Sequence, residues 1–177
     1  QLMSYKDILN PEWKDKVGNA TSVNWPGDIG GQGNEGVAGQ VRQLPGAIGY
    51  VELAYATQTG MTYASMRNRA GSYILPSLEA TTAAAQGVEL PDDMKVMITD
   101  SANPAAYPIS GFTWVLAYQD QPEAAKGKAL VNMLWWAIHE GQQYNAPLQY
   151  APLSPEAVKK AEALVRSITY QGAPILK

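Results

Sequence analysis

The spacing of apolar positions changes period several times along the chain, and each change marks an element. Leu2, Tyr5, Ile8 and Leu9 recur at helical spacing, so residues 2–9 read as the body of a helix; Asn10-Pro11 ends it and Pro11 can open a new turn. Residues 21–25 are short and strand-like, closed by Pro26-Gly27. Val37, Ala38 and Val41 give a short helix one apolar face, Gly36 and Gly39 let it lie close to a sheet, and Pro45-Gly46 stops it. Residues 47–51 then form a mostly apolar run, the pattern of a strand buried on both faces. A helix is predicted over 53–58 with Gly60 as its stop, and a hairpin pairs 62–67 with 72–75 across 68–71. Ser77 caps a helix through about Ala85, stopped by Gly87. Residues 88–106 are mostly loop, with a strand at 94–99 and a connection at Ser101-Ala102-Asn103-Pro104.

The second half is more strongly patterned. Residues 112–118 are nearly all apolar, as in a central strand. The longest helix is predicted over 122–142, with Leu130, Val131, Leu134, Trp135 and Ile138 as its buried stripe and Met133 and Trp136 widening it. A last helix has Ser154 at its N-cap and Pro155 at its first position, with Val158, Ala161, Leu164, Val165 and Ile168 at core spacing. Strands alternating with helices predict an α/β fold with mostly parallel sheets and flanking helices.

One segment departs from ordinary patterning. Gly30, Gly31 and Gly33 cost chain entropy, so they imply left-handed turns or close backbone approach. Asn34 reads as the N-cap of the helix that follows, and Glu35 complements its dipole or grips the loop backbone. Such a loop is either a tight connection or an anion cradle. Neither a Walker A pattern nor a dinucleotide-binding G-x-G-x-x-G in register is present.

Composition narrows the chemistry. The 177 residues carry a formal net charge of −3, with no basic footprint for nucleic acid and no Lys/Arg run for a lipid surface. There are no cysteines, hence no disulfide, zinc-thiolate site or thiol nucleophile. No apolar stretch reaches membrane-spanning length. The single histidine, His139, leaves no histidine pair for a metal and reads as a structural or dipole partner near a helix end. Asp92, Asp93 and Asp100 read as solvated loop carboxylates, and Arg67 and Arg69 flank an exposed hairpin tip. No catalytic residue, metal site or cofactor is expected.

Four blocks carry a resemblance: Glu12-Trp13-Lys14 with Val17-Gly18; Val23-Asn24-Trp25-Pro26; Gly30-Gly31-Gln32-Gly33-Asn34-Glu35-Gly36-Val37-Ala38; and Pro45-Gly46-Ala47-Ile48-Gly49-Tyr50-Val51-Glu52. In this order they resemble the phosphate-binding protein family of the high-affinity phosphate ABC transporter. Tyr107-Pro108-Ile109-Ser110 and the ending Gly172-Ala173-Pro174-Ile175-Leu176 resemble later parts of the same family. The resemblance implies a type II periplasmic-binding-protein-like fold of two lobes, present here incompletely. Residues 1–105 would finish the second lobe, and 106–177 would return to the first. It also implies a periplasmic or cell-surface receptor for inorganic phosphate that works with a membrane permease and performs no catalysis.

Members of that family are nearly twice as long, and their phosphate ligands come from the first half and an Arg-x-Asp-x-Ser-Gly-Thr loop. Gln1-Leu2-Met3-Ser4-Tyr5 resembles the helix just after that loop. The chain is therefore expected to be the C-terminal part of such a receptor, without the direct ligands. Gly30, Gly31, Gly33, Asn34 and Glu35 are then expected to form a wall behind the phosphate site. A receptor for another oxyanion, a non-binding fragment, and an enzyme using the glycine loop as its anion cradle are the alternatives.

Overall fold

The structure is a computed structural model that describes residues 10–20, 22–27 and 29–176. The helix expected over 2–9 lies outside them, as does Thr21 of the strand expected at 21–25. The chain gathers into two compact units. One holds the chain up to Gln86 together with Ile98–Gly111, the other Gly87–Met97 and the chain from Phe112 onward.

Local signals set the helices of the first unit. Helix α1, Pro11–Lys16, starts where Asn10 Oδ1 accepts from the Glu12 and Trp13 N–H groups and Pro11 takes the first turn. Helix α2, Gly33–Gln43, ends before Pro45-Gly46, and α3, Leu53–Gln58, ends before Gly60, whose φ is +66°. Strand β1, Met66–Arg67, pairs antiparallel with β2, Tyr73–Ile74, with Met66 opposite Ile74. Helix α4, Leu78–Ala85, is capped by Ser77 Oγ accepting from the Ala80 N–H. Its buried Ala80, Ala83 and Ala84 are small enough for loops to pack closely, and the Tyr107 N–H reaches the Ala80 carbonyl at 3.2 Å.

A polar residue holds the hairpin in place. Asn68, at the turn, is only 5% exposed. Its Oδ1 accepts from the Ser72 N–H at 3.0 Å, while its Nδ2 donates to the carbonyls of Pro104 at 2.8 Å and Ala106 at 3.2 Å. Two carbonyls of a distant loop are thereby satisfied by one side chain.

The second unit is built on α5, Ala124–Ile138, and α6, Pro155–Arg166. Val131, Val165 and Ile168 form its buried centre, and Leu134, Trp135, Ile138, Ile175 and Leu176 pack around them. Strand β3, Thr169–Tyr170, pairs antiparallel with β4, Ala173–Pro174. Helix α5 stops at Ile138 rather than near 142, because His139 leaves helical geometry at φ −119°, ψ −102°; a 3-10 helix, Glu140–Tyr144, follows. On α6, Leu164 is exposed and Ala157 holds the buried place instead.

Four expected strands, 21–25 over its described residues 22–25, 47–51, 94–99 and 112–118, belong to no ladder among the described residues. Ile48 and Leu116 are each 96% exposed. An apolar run encodes a preference for burial, whereas a strand also requires a neighbouring strand to take its N–H and C=O groups. Among the described residues the expected parallel pairing is represented by one bridge, Asp120 with Thr169. There the Gln121 N–H donates to the Thr169 carbonyl at 2.8 Å and the Thr169 N–H to the Gln119 carbonyl at 2.7 Å.

Replacing Asn68 with Ala strands two carbonyls in a buried setting and is expected to destabilise the first unit by about 2–4 kcal/mol. Urea unfolding checks this; a loss within the usual surface range of about 0.5 kcal/mol would remove Asn68 from its central place.

Candidate functional site

The glycine loop leads into α2 through a pivot. Gly33 holds φ at +65°, a conformation that a residue with a Cβ adopts only with strain. Gly31 serves a different purpose: a Cβ there would lie 2.6 Å from the Val37 nitrogen, so the loop presses its backbone against the first turn of the helix. Gly30 does neither, and its surroundings are open.

The pivot displaces the expected cap. Because α2 begins at Gly33, Asn34 falls inside the first turn, and Gln32 precedes the helix without a side-chain bond to it. Asn34 reaches sideways instead, and its Oδ1 accepts from the Glu52 N–H at 2.9 Å. Glu52 stands at the N-terminal end of α3, so Asn34 ties the beginnings of two helices together. Close packing expected from Gly36 and Gly39 lies elsewhere too. Gly36 abuts Gly31, Gly39 has open space, and it is Gly49 that runs under α2, where a Cβ would lie 2.7 Å from Val41 Cγ2.

Glu35 accepts from the Tyr55 hydroxyl at 2.7 Å. That bond, and then one from its own backbone N–H, hold its carboxyl below the usual carboxylate range, and the carboxylate in turn pushes the Tyr55 phenol up. Glu35 is therefore an anion fixed at the positive end of the α2 dipole. A phosphate dianion approaching this helix start would meet a like charge where a free cradle would offer bare N–H groups. Gly31, Gly33, Asn34 and Glu35 are thus gathered into one structural knot with Glu52 and Tyr55, while Gly30 stands open beside it. Tyr55 had no sequence signal, since its partner lies twenty residues earlier in the chain.

The other singled-out groups lie apart from this knot. Asp92 is solvated and pairs with Lys160 at 2.9 Å. Asp100 departs from the solvated reading: it is half-buried, and its Oδ1, like Thr99 Oγ1, has no hydrogen-bond partner among the described residues. Burial pushes its carboxyl up, opposed by the charge of Arg69. No cluster of three or more His, Asp or Glu side chains suited to a metal occurs among the described residues. Among them, no helix is long and apolar enough to cross a membrane.

Comparison with known proteins defines the class. Residues 12–134 match the family model for the PBP superfamily domain, and the chain belongs to that superfamily. Within it, the chain is similar to proteins named phosphate-binding protein PstS. The one from Xylella fastidiosa strain 9a5c is 43% identical over 162 residues, covering 90% of this chain and 44% of that protein. The Pasteurella multocida protein is 35% identical over 90% of this chain and 47% of its own length. The Methanocaldococcus jannaschii protein is 33% identical over 79% of this chain and 40% of its own length. The chain thus spans less than half the length of these relatives, each named as a phosphate-binding protein.

The three glycines separate by mechanism. Gly30→Ala is expected to be nearly neutral, within about 0.5 kcal/mol, whereas Gly31→Ala and Gly33→Val should each cost about 1–3 kcal/mol through clash and backbone strain. Chemical unfolding of the three variants checks the order; equal effects would contradict the loop geometry.

Proposed function

We propose that the chain is the C-terminal part of an extracytoplasmic receptor that captures inorganic phosphate and delivers it to an ABC-transporter permease. The observation that carries this reading is the similarity to phosphate-binding proteins over 90% of the chain. Residues 1–105 would belong to the second lobe of a type II fold with mostly parallel sheets, and 106–177 would return to the first. In support, most of 1–105 falls in one compact unit and most of 106–177 in the other, although Gly87–Met97 belongs with the second and Ile98–Gly111 with the first.

The knot at Gly31–Glu35, with Gly30 beside it, then serves as wall and scaffold. Its carboxylate at the helix start disfavours a direct role in holding a dianion, which favours ligands supplied from outside residues 1–177. In a receptor of this kind, N–H groups, hydroxyls and an arginine hold the phosphate oxygens in a dry cleft. A carboxylate accepts the proton that phosphate carries and sulfate lacks. Charge-assisted hydrogen bonds contribute about 1.5–3 kcal/mol each, so several of them reach micromolar affinity or better. Closure of the lobes around the ion would present a surface to the permease. Binding and release require no covalent step.

The test joins this chain to the N-terminal half of the Xylella fastidiosa relative and titrates phosphate and sulfate by calorimetry. A Kd of about 1 μM or tighter for phosphate, with no sulfate binding, is expected. A chimera that melts cooperatively yet ignores phosphate, or takes sulfate equally well, overturns the reading. The chain alone should give no phosphate heat; micromolar binding there would place the ligands within it.

A further inference from the structure

Two acceptors converge on His139, just past the end of α5. Its Nδ1 lies 2.8 Å from the Trp135 carbonyl oxygen, and its Nε2 lies 2.8 Å from Glu162 Oε1 on α6. Neither the carbonyl nor the carboxylate has a proton to give. A neutral imidazole carries one N–H and one lone pair, so it can satisfy one neighbour only by turning its lone pair toward the other. The imidazolium donates to both.

The charged groups that face the ring favour that form. Glu162 on α6 and Glu140 in the following turn are anionic, while Arg166 on α6 brings the opposite sign. Its guanidinium carbon lies 4.6 Å from the Trp135 ring centre, and the His139 ring lies tilted at 35° to the same indole with centroids 4.5 Å apart. The net effect raises the His139 pKa above its ordinary value, first through the Trp135 carbonyl and next through Glu162.

His139 also sits where the chain leaves α5 for the long connection to α6. That connection has a second clasp. Gln142 Nε2 donates to the Ile138 carbonyl at 2.8 Å, and its Oε1 accepts from the Leu153 N–H at 2.5 Å. With the imidazolium present the connection is held at its first residue and, through Gln142 and Leu153, near both of its ends; with neutral imidazole only the Gln142 clasp keeps its full set of bonds. We propose that His139 is a proton-operated latch that fixes residues 140–153 against α5 and α6, and that its deprotonation loosens this segment without unfolding the unit. A group whose pKa is raised in the folded state stabilises fully below its unfolded value, about 6.5, and loses that contribution as pH rises through the folded value. The latch therefore closes in mild acid and opens on the alkaline side.

Hydrogen exchange of the full chain between about pH 5.5 and 8.5, corrected for the intrinsic pH dependence of exchange, reads the latch directly. NMR of the histidine ring supplies its titration midpoint. The midpoint should lie above the ordinary value, and protection of residues 140–153 should fall several-fold through it. In His139→Gln the protection should be lower and flat with pH, and in Glu162→Gln the ring midpoint should move down. A ring that titrates at or below its ordinary value overturns the latch. So does protection of 140–153 that is the same and pH-independent in the parent and in a folded His139→Gln.

Discussion

The first unit depends on a side-chain amide that has no solvent to fall back on. Asn68 is buried, its three hydrogen bonds are all to backbone, and two of them go to a loop more than thirty residues away. Losing them would leave the Pro104 and Ala106 carbonyls without their partner in a low-dielectric setting, where an unpaired polar group is costly. The hairpin, the 104–106 loop and the alanine face of α4 are positioned together for this reason. The loop carries Ala106, fully buried, and the neighbouring Tyr107 N–H closes the circuit onto Ala80. Two-residue strands alone could not hold such an arrangement, since a short hairpin is marginal by itself.

The same logic decides the character of the glycine loop. Anion sites at helix starts work because the first N–H groups are unsatisfied and the dipole is uncompensated. At α2 the compensation is internal: Glu35 brings the charge, and Tyr55 holds it in place. Asn34 spends its acceptor on Glu52. The glycines permit the close approach that lets these bonds form.

Local chemistry was legible in the sequence wherever the signal and its effect lie within one turn. Ser77, Ser154 with Pro155, Gly60, Gly87 and the α5 stripe through Val131 all behave as their spacing implies. Misreadings arose where a distant partner decides. Capping is the commonest short-range use of asparagine before a helix, yet the partner of Asn34 is eighteen residues on. Nothing near Asp100 in sequence announces its burial. The end of α5 was placed too late because apolar spacing continues through a residue whose own bonds, to Trp135 and Glu162, turn the chain away. The glycine loop, the strongest family signal in the chain, identifies the relatives well yet states no binding role of its own.

The exposed apolar runs are the remaining term. Val115, Leu116 and Tyr118 stand largely in solvent, as does Ile48. Burying apolar area is worth about 25 cal/mol per Å², and each such residue left in water forgoes about 1.5–3 kcal/mol. A sequence that repeats this over several positions of one run encodes a face meant to be covered. On the receptor reading, the cover is sheet: added strands would take up the backbone N–H and C=O groups of 112–118 while their side chains bury Leu116 and Tyr118. The Gln119–Gln121 bridge to Thr169 already holds one end of that run in place. An apolar face can be written into a single strand, whereas its pairing cannot.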